Sequence, residues 1–266
     1  MSVTTGTAGR PTAVGKAVLV VEALADHRSI SDIGRATGLP TSTVHRILQE
    51  LVDVGWVRAD GERGYLPGVR LMSLAGGATS DAGIRHTVRP FLQVLRDTTS
   101  HSVHFALRQG DEAVYIDKLE GKRAYAMRSR VGLAIQLHCT AIGKAILAAL
   151  PEAETRAVLS RRPMTAMTER TIVNPDALLT HLRSVSRRGY ALDNEENETH
   201  TRCIGAVVLD HRAVPIGGIS MSALAFDLDR DQIRHCAPLV VSTARDVSRA
   251  LGLAIPEPRH KPARTL

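Results

Sequence analysis

The sequence predicts an α+β protein in two parts. A small N-terminal winged helix-turn-helix precedes a larger domain of mixed helices and strands on a largely antiparallel sheet. Three observations carry this. Helical periodicity runs through residues 14–54 and is broken by a turn at Gly38-Leu39-Pro40. Two short strand patterns then flank Asp60-Gly61-Glu62-Arg63, a hairpin signal. Beyond residue 100, strand and helix patterns follow one another without strict β-α-β alternation, which favours an antiparallel sheet.

The elements follow in order. Residues 1–12, rich in Thr, Gly, Ala and Pro, read as a disordered arm. Val14, Val18, Val21 and Leu24 recur at helical spacing over Val14–Asp26. Ser31–Thr37 is a short helix with Ile33 as its apolar contact. Thr41–Val54 is a second, with Val44, Ile47, Leu48 and Leu51 on one face. Trp56–Ala59 and Gly64–Pro67 are the strands of the hairpin, so the winged helix-turn-helix occupies 13–75. Gly68–Ala82 is part helical and then rich in Gly, Ala and Ser, as a linker is. A linker-helix region covers 76–99, where Ile84, Val88, Phe91, Leu92 and Leu95 mark a helix ending near Thr99.

The second domain spans 100–254. Strands Ser102–Arg108 and Ala113–Leu119 are joined by Gln109-Gly110-Asp111-Glu112. Thr140–Leu150 and Pro175–Arg188 are helices, and Tyr190–Asp193, Ile204–Leu209 and Ile216–Ser222 are strands. Asp229–Leu251 is a long helix with a stripe of Ile233, Ala237, Val240, Ala244, Val247 and Leu251. Residues 255–266 form a basic tail.

Composition bounds the function. At ~100–200 residues per domain, 266 residues make one large domain or two modest ones. With 44% hydrophobic and 23% charged residues, wholesale disorder is excluded. No apolar run approaches the ~20 residues of a membrane span. Met1–Arg10 lacks the apolar core of a secretory signal. The three cysteines have no paired spacing, so a disulfide scaffold is not expected and a reducing cytoplasm fits. The net charge of +7 and pI near 9.8 suit nucleic acid, but the charge is spread. Residues 1–78 carry only +1, so the local pattern must identify a DNA-binding unit.

That pattern is present. Gly34 is small where the second helix crosses the first, and Gly38 tolerates the positive φ of the turn. Ile33, Leu39, Val44 and Ile47 pin the pair. Thr41, Ser42, Thr43, His45 and Arg46 crowd the exposed start of the second helix, where hydroxyls and helix amides suit phosphates and Arg46 can reach base edges. Arg58 and Arg63 arm the hairpin as a wing. The partner expected is double-stranded operator DNA. Aromatic residues make up only 3%, which argues against stacking on single strands.

In the second domain, Ser220 and Ser222 share one face of a strand while Ile219 and Met221 share the other. Two hydroxyls there form either cross-strand hydrogen bonds or the floor of a pocket for an acidic ligand. Thr140 is an N-cap, and amides at Ala141, Ile142 and Gly143 would hold a carboxylate, with Lys144 solvated in the plainer reading. Asp193 precedes an acidic run, Glu195, Glu196 and Glu198, of the kind usually solvated. Turned inward, Asp193 would accept from a ligand hydroxyl, with Cys203 as a polarisable wall.

Four stretches together resemble the IclR family of bacterial transcription regulators. They are Gly38-Leu39-Pro40-Thr41-Ser42-Thr43-Val44-His45-Arg46-Ile47-Leu48; Leu137-His138-Cys139-Thr140-Ala141-Ile142-Gly143-Lys144-Ala145; Gly189-Tyr190-Ala191-Leu192-Asp193-Asn194-Glu195-Glu196-Asn197-Glu198 with Arg202-Cys203-Ile204; and Gly218-Ile219-Ser220-Met221-Ser222. The resemblance covers residues 14–254. It implies a winged helix joined by a linker helix to a GAF-like effector domain, working as a homodimer or homotetramer and controlling a catabolic operon, as repressors of the family do. It also implies that Ala141, Ile142, Asp193, Cys203, Ser220 and Ser222 line a pocket for a small organic acid of keto-acid or sugar-acid type. The acidic run and the Cys139-Thr140 pair look most like the branch that answers 2-keto-3-deoxy sugar acids. The chain departs where the family often has Gly-Pro after the serine strand: Ala223-Leu224 stand there.

Rival chemistries have weaker signatures. Cys203 with His138 or His200 could form a nucleophilic pair, but no orienting third group or nucleophile elbow stands out, and no enzyme activity or cofactor is expected. A metal- or thiol-responsive sensor would use His138, Cys139, His200 and Cys203, whose spacing is not that of a strong ligand set.

Overall fold

A computed structural model describes residues 11–79, 81–122 and 128–253. Most of the expected N-terminal arm and the basic tail lie outside the described residues. The chain divides into two compact units, Met1–Ser80 and Asp81–Leu266.

In the first unit, α1 (Ala13–Ala23), α2 (Ile30–Thr37) and α3 (Thr41–Asp53) precede the hairpin β1 (Val57–Ala59) and β2 (Tyr65–Pro67) and helix α4 (Val69–Thr79). Ser29 Oγ caps α2 by accepting from the Asp32 amide at 3.1 Å, and Gly38 ends it at φ 68°. Val20, Leu24, Ile33, Val44, Ile47, Leu48 and Val57 close one small core. The wing is antiparallel, Val57 opposite Pro67 and Ala59 opposite Tyr65, and its turn is a single 3-10 turn. Gln49 of α3 donates to the Tyr65 hydroxyl at 3.1 Å, which ties the wing to that helix. The stretch 68–82, read as part linker, is instead helical through 69–79: Ala and Leu supply helix propensity that outweighs two glycines.

The second unit is built on a six-stranded, wholly antiparallel sheet. Its elements are α5 (Asp81–Thr99), β3 (Ser102–Gln109), β4 (Glu112–Leu119), β5 (Ala134–Ile135), α6 (Ala141–Ala149), α7 (Glu152–Arg161), α8 (Pro175–Arg188), β6 (Ala191–Asn194), β7 (Thr201–Leu209), β8 (Pro215–Leu224) and α9 (Arg230–Ala250), with strand order β5-β4-β3-β8-β7-β6. This is the α+β architecture the sequence predicts. α5 and α9 cover one face, where Val88, Leu92, Val240 and Val247 meet Phe105, Ile219 and Met221. α6 covers the other, with α8 packed against α6, and Ile142, Ile146, Leu178 and Leu182 share one apolar cluster with Ala106. The helix α7 and the short β5 have no counterpart in the sequence expectation. Only Thr155 and Val158 of α7 are buried, too thin a stripe to show as periodicity.

α6 sits unusually close to the sheet. A Cβ on Gly205 of β7 would lie 2.6 Å from the Ala141 carbonyl carbon, so the helix start rests on bare backbone. Gly205→Ala should therefore force α6 outward and destabilise the unit by about 1–3 kcal/mol. A chemical-denaturation midpoint equal to wild type would show that the contact is slack.

Candidate functional site

On the first unit, Pro40 precedes α3 and places no side chain over its N-terminus. The amides of Thr41 and Ser42 have no acceptor within the helix and face outward for one supplied from elsewhere. Thr41, Ser42, His45 and Arg46 are exposed, and Thr43 is half-buried. Arg46 Nη1 lies 2.9 Å from Glu50 on the same helix, an exposed pair that a phosphate or base edge can displace cheaply. Arg58 and Arg63 are exposed on the wing, Arg58 being 3.6 Å from Asp60.

The second unit holds a cavity of about 280 Å³ between the start of α6 and the sheet. Register explains its floor. Asp193 pairs with Cys203, Cys203 with Ser222, and Ser222 with Ser102, so the side chains of one row cross β6, β7, β8 and β3. Ser220 follows on the same face of β8. Seven of the eight expected effector residues line the cavity: Thr140, Ala141, Ile142, Asp193, Cys203, Ser220 and Ser222. Ser222 Oγ donates to Cys203 Sγ at 3.1 Å.

Gly143 corrects the expectation. Its amide donates to Thr140 Oγ at 3.1 Å, and it lies against Leu137, whose Cα would be 2.3 Å from an added Cβ. It serves cap and packing, and the Thr140 hydroxyl, which also donates to the Gln136 carbonyl at 2.6 Å, is occupied on both sides. Only the amides of Ala141 and Ile142 remain for a ligand.

The acidic run is also corrected. Glu196 is buried, and Lys144, read as solvated, is fully buried and donates to Glu196 Oε1. Glu195 Oε1 receives Arg170 at 2.6 Å. Asp193 Oδ1 accepts from the Glu196 amide at 2.8 Å and the Asn197 amide at 3.2 Å. Burial, more than anything else, pushes the Asp193 carboxyl up to about 7, against the lowering effect of those amides and of Lys144.

Sequence reasoning missed other wall residues, among them Tyr115, Ser129, Gln136, Asn197 and Glu198. Asn197 and Glu198 stand inside the motif quoted for the family, and alternation on β4 places Tyr115; nothing in the pattern around Ser129 marks it. Arg128 Nε lies 3.6 Å from Glu198 at the exposed rim. A second cavity of about 260 Å³, beside β5 and α7, offers less: its Asp111 and Glu112 are already bound to Arg161 and Arg162 at 2.7 and 2.9 Å.

The residues of the rival readings are not gathered. His138 Nε2 bonds the Thr165 carbonyl at 3.0 Å, and His200 is exposed. Among the described residues no three His, Cys, Asp or Glu side chains converge as a metal site requires. Burial pushes the Cys139 thiol up to about 12 and the Cys203 thiol higher, so neither is a ready thiolate. No helix among the described residues is long and apolar enough to cross a membrane.

Comparison with known proteins places both units. Residues 13–61 match the model of the IclR helix-turn-helix domain, and residues 76–249 that of the bacterial transcriptional regulator IclR C-terminal domain. The chain is 34% identical over 224 residues to the HTH-type transcriptional regulator XynR of Escherichia coli K12, covering 84% of this chain and 89% of that one. It is 30% identical over 227 residues to the transcriptional repressor IclR of the same strain, covering 84% and 83%. The crystal structure of Thermotoga maritima IclR superposes with a TM-score of 0.64 at 32% identity, covering 90% of this chain and 98% of that one.

The raised Asp193 carboxyl has a signed consequence. An unfolded aspartate titrates near ~3.9, so between about pH 4 and 7 the folded protein binds the extra proton. The stabilisation is complete below about pH 4 and is lost as pH rises through about 7. Asp193→Asn should flatten the fall of stability across that window by on the order of 1 kcal/mol per pH unit. Parallel stability–pH curves for the variant and wild type would show that Asp193 titrates normally.

Proposed function

The chain belongs to the IclR family of DNA-binding transcriptional regulators, and from that premise we propose that it is a repressor whose hold on operator DNA is changed by a small organic acid bound in the second unit. The observation that carries the reading is the cavity under α6. It is small against the ~300–1,000 Å³ of most ligand pockets and joins two unsatisfied helix amides to a row of hydroxyl, thiol and carboxyl groups.

The charge logic orients the ligand. Its carboxylate goes to the amides of Ala141 and Ile142, away from Asp193. Keto or hydroxyl oxygens meet Ser220, Ser222 and Asp193, with Cys203 alongside. Neutral hydrogen bonds contribute ~0.5–1.5 kcal/mol each and those to a charged group ~1.5–3 kcal/mol. A handful yields roughly micromolar to millimolar affinity, a useful range for a metabolite sensor of a catabolic operon. The acid changes DNA affinity only by binding one arrangement of the DNA-reading units more tightly than another.

On DNA, Thr41, Ser42 and Thr43 take phosphates, His45 and Arg46 reach bases, and Arg58 and Arg63 follow the backbone. A unit of only +1 charge gains little from phosphates alone, so two copies on a pseudo-palindromic site supply the rest. Arg46→Ala should cost about 1–3 kcal/mol of operator binding in an anisotropy titration at fixed salt. Two chains per duplex are expected in the same titration. Wild-type affinity, or one chain per duplex, would contradict these assignments.

The double variant Ser220→Ala and Ser222→Ala should fold and bind operator as wild type does, yet no longer change that binding when the effector is added. A response at the wild-type effector concentration would move the site elsewhere.

A further inference from the structure

Ser129 lines the cavity from a segment that is neither helix nor strand. Two side chains of the sheet hold it. His104 Nε2 lies 2.9 Å from Ser129 Oγ, and Lys118 Nζ donates to the Ser129 carbonyl at 2.8 Å. His104 of β3 pairs with Lys118 on β4 and with Ser220 on β8. The ring of Tyr115, also on the cavity wall, has its centroid 5.1 Å from that of His104. One imidazole thus underlies three wall residues. It is 1% exposed, and its Nδ1 has no hydrogen-bond partner among the described residues.

That orphan atom sets the direction of the hydrogen bond. A proton on Nδ1 would be a buried donor without an acceptor, which folded proteins rarely tolerate. A proton on Nε2 leaves only a lone pair unmet and makes Nε2 the donor. Burial first, and then the charge of Lys118, push the His104 pKa down to about 3, so the ring is neutral. Lys118 is itself paired with Glu120 at 2.7 Å, and Tyr115, Ser129 and the strand partner Ser220 lie beside His104. A serine oxygen that accepts from His104 keeps its own hydrogen to give.

We propose that Ser129 is a specificity-determining donor of the effector cavity and that His104 is its positioning residue: Nε2–H donates to Ser129 Oγ, and the serine O–H turns to an acceptor oxygen of the bound acid. The inference rests on the reading of this cavity as the effector site. It selects for acids with an acceptor oxygen beyond the carboxylate, a keto or hydroxyl group, over plain carboxylates of equal length.

The test has two arms, both on the full chain. In 15N-histidine-labelled protein without ligand, long-range 15N–1H spectra report the tautomer of His104, assigned through His104→Gln. A neutral Nε2–H tautomer from about pH 5 to 8, displaced in Ser129→Ala, is expected. An Nδ1–H tautomer or an imidazolium in that range overturns the proposal. The second arm titrates short straight-chain carboxylates, with and without a 2-oxo or hydroxyl group, by calorimetry. Ser129→Ala should weaken the oxo- and hydroxy-acids about tenfold and spare the plain acids, with Ser129→Thr restoring affinity. An equal loss for all acids, or none, overturns the role of Ser129. If the Ser220/Ser222 double variant abolishes binding in that case, the cavity reading itself survives. If no acid binds the wild-type chain, both fall.

Discussion

Lys144 and Glu196 are removed from water together, and the geometry of the cavity hangs on their contact. Lys144 lies in the second turn of α6, and Glu196 lies in the loop that leaves β6. Their bond fixes the helix whose first amides face the cavity against the loop whose amides hold Asp193. The Glu196 carbonyl in turn accepts from Thr171 at 2.6 Å and Thr168 at 3.3 Å, which draws the segment before α8 into the same knot. A lone buried charge costs several kcal/mol, so neither partner is tolerable without the other. The pair therefore gives position more than net stability.

The same burial orders the electrostatics. Asp193 shares its surroundings with a lysine that favours its charge and a glutamate that opposes it, and desolvation decides in favour of the proton. The His138 and His181 rings are pushed toward the neutral form, again chiefly by burial. The cavity thus offers helix amides, hydroxyls and a carboxyl near its titration point, with Arg128, paired to Glu198, at its rim. The first unit solves a different problem. With a net charge of only +1 it gains little from bulk attraction to DNA.

Local rules made much of this legible. Gly38 at φ 68° and the 3.6-residue stripe of α3 are visible as letters, as is the alternation that turns Ser220 and Ser222 one way and Ile219 and Met221 the other. The errors share a cause. Lys144 and Glu196 each look like a solvated charge in the sequence, because each is ordinary alone and their pairing is tertiary. A signal existed: Ala141–Leu147 is apolar around nearly the whole helix, and a lysine inside such a helix has no wet face to occupy. Gly143 presents itself in the sequence as an open amide, because the Thr140 hydroxyl that takes it is visible only in space. Ser129 gave no local sign, since its place depends on two side chains from β3 and β4.

A double-mutant cycle on Lys144→Met and Glu196→Leu tests the central constraint most directly. Each single variant should lose about 3–5 kcal/mol of unfolding free energy by leaving its partner charged and buried. The double variant should recover most of that loss, with a coupling of several kcal/mol. Additive losses would mean that the two residues act separately, and that something other than this pair holds α6 against the loop of Asp193.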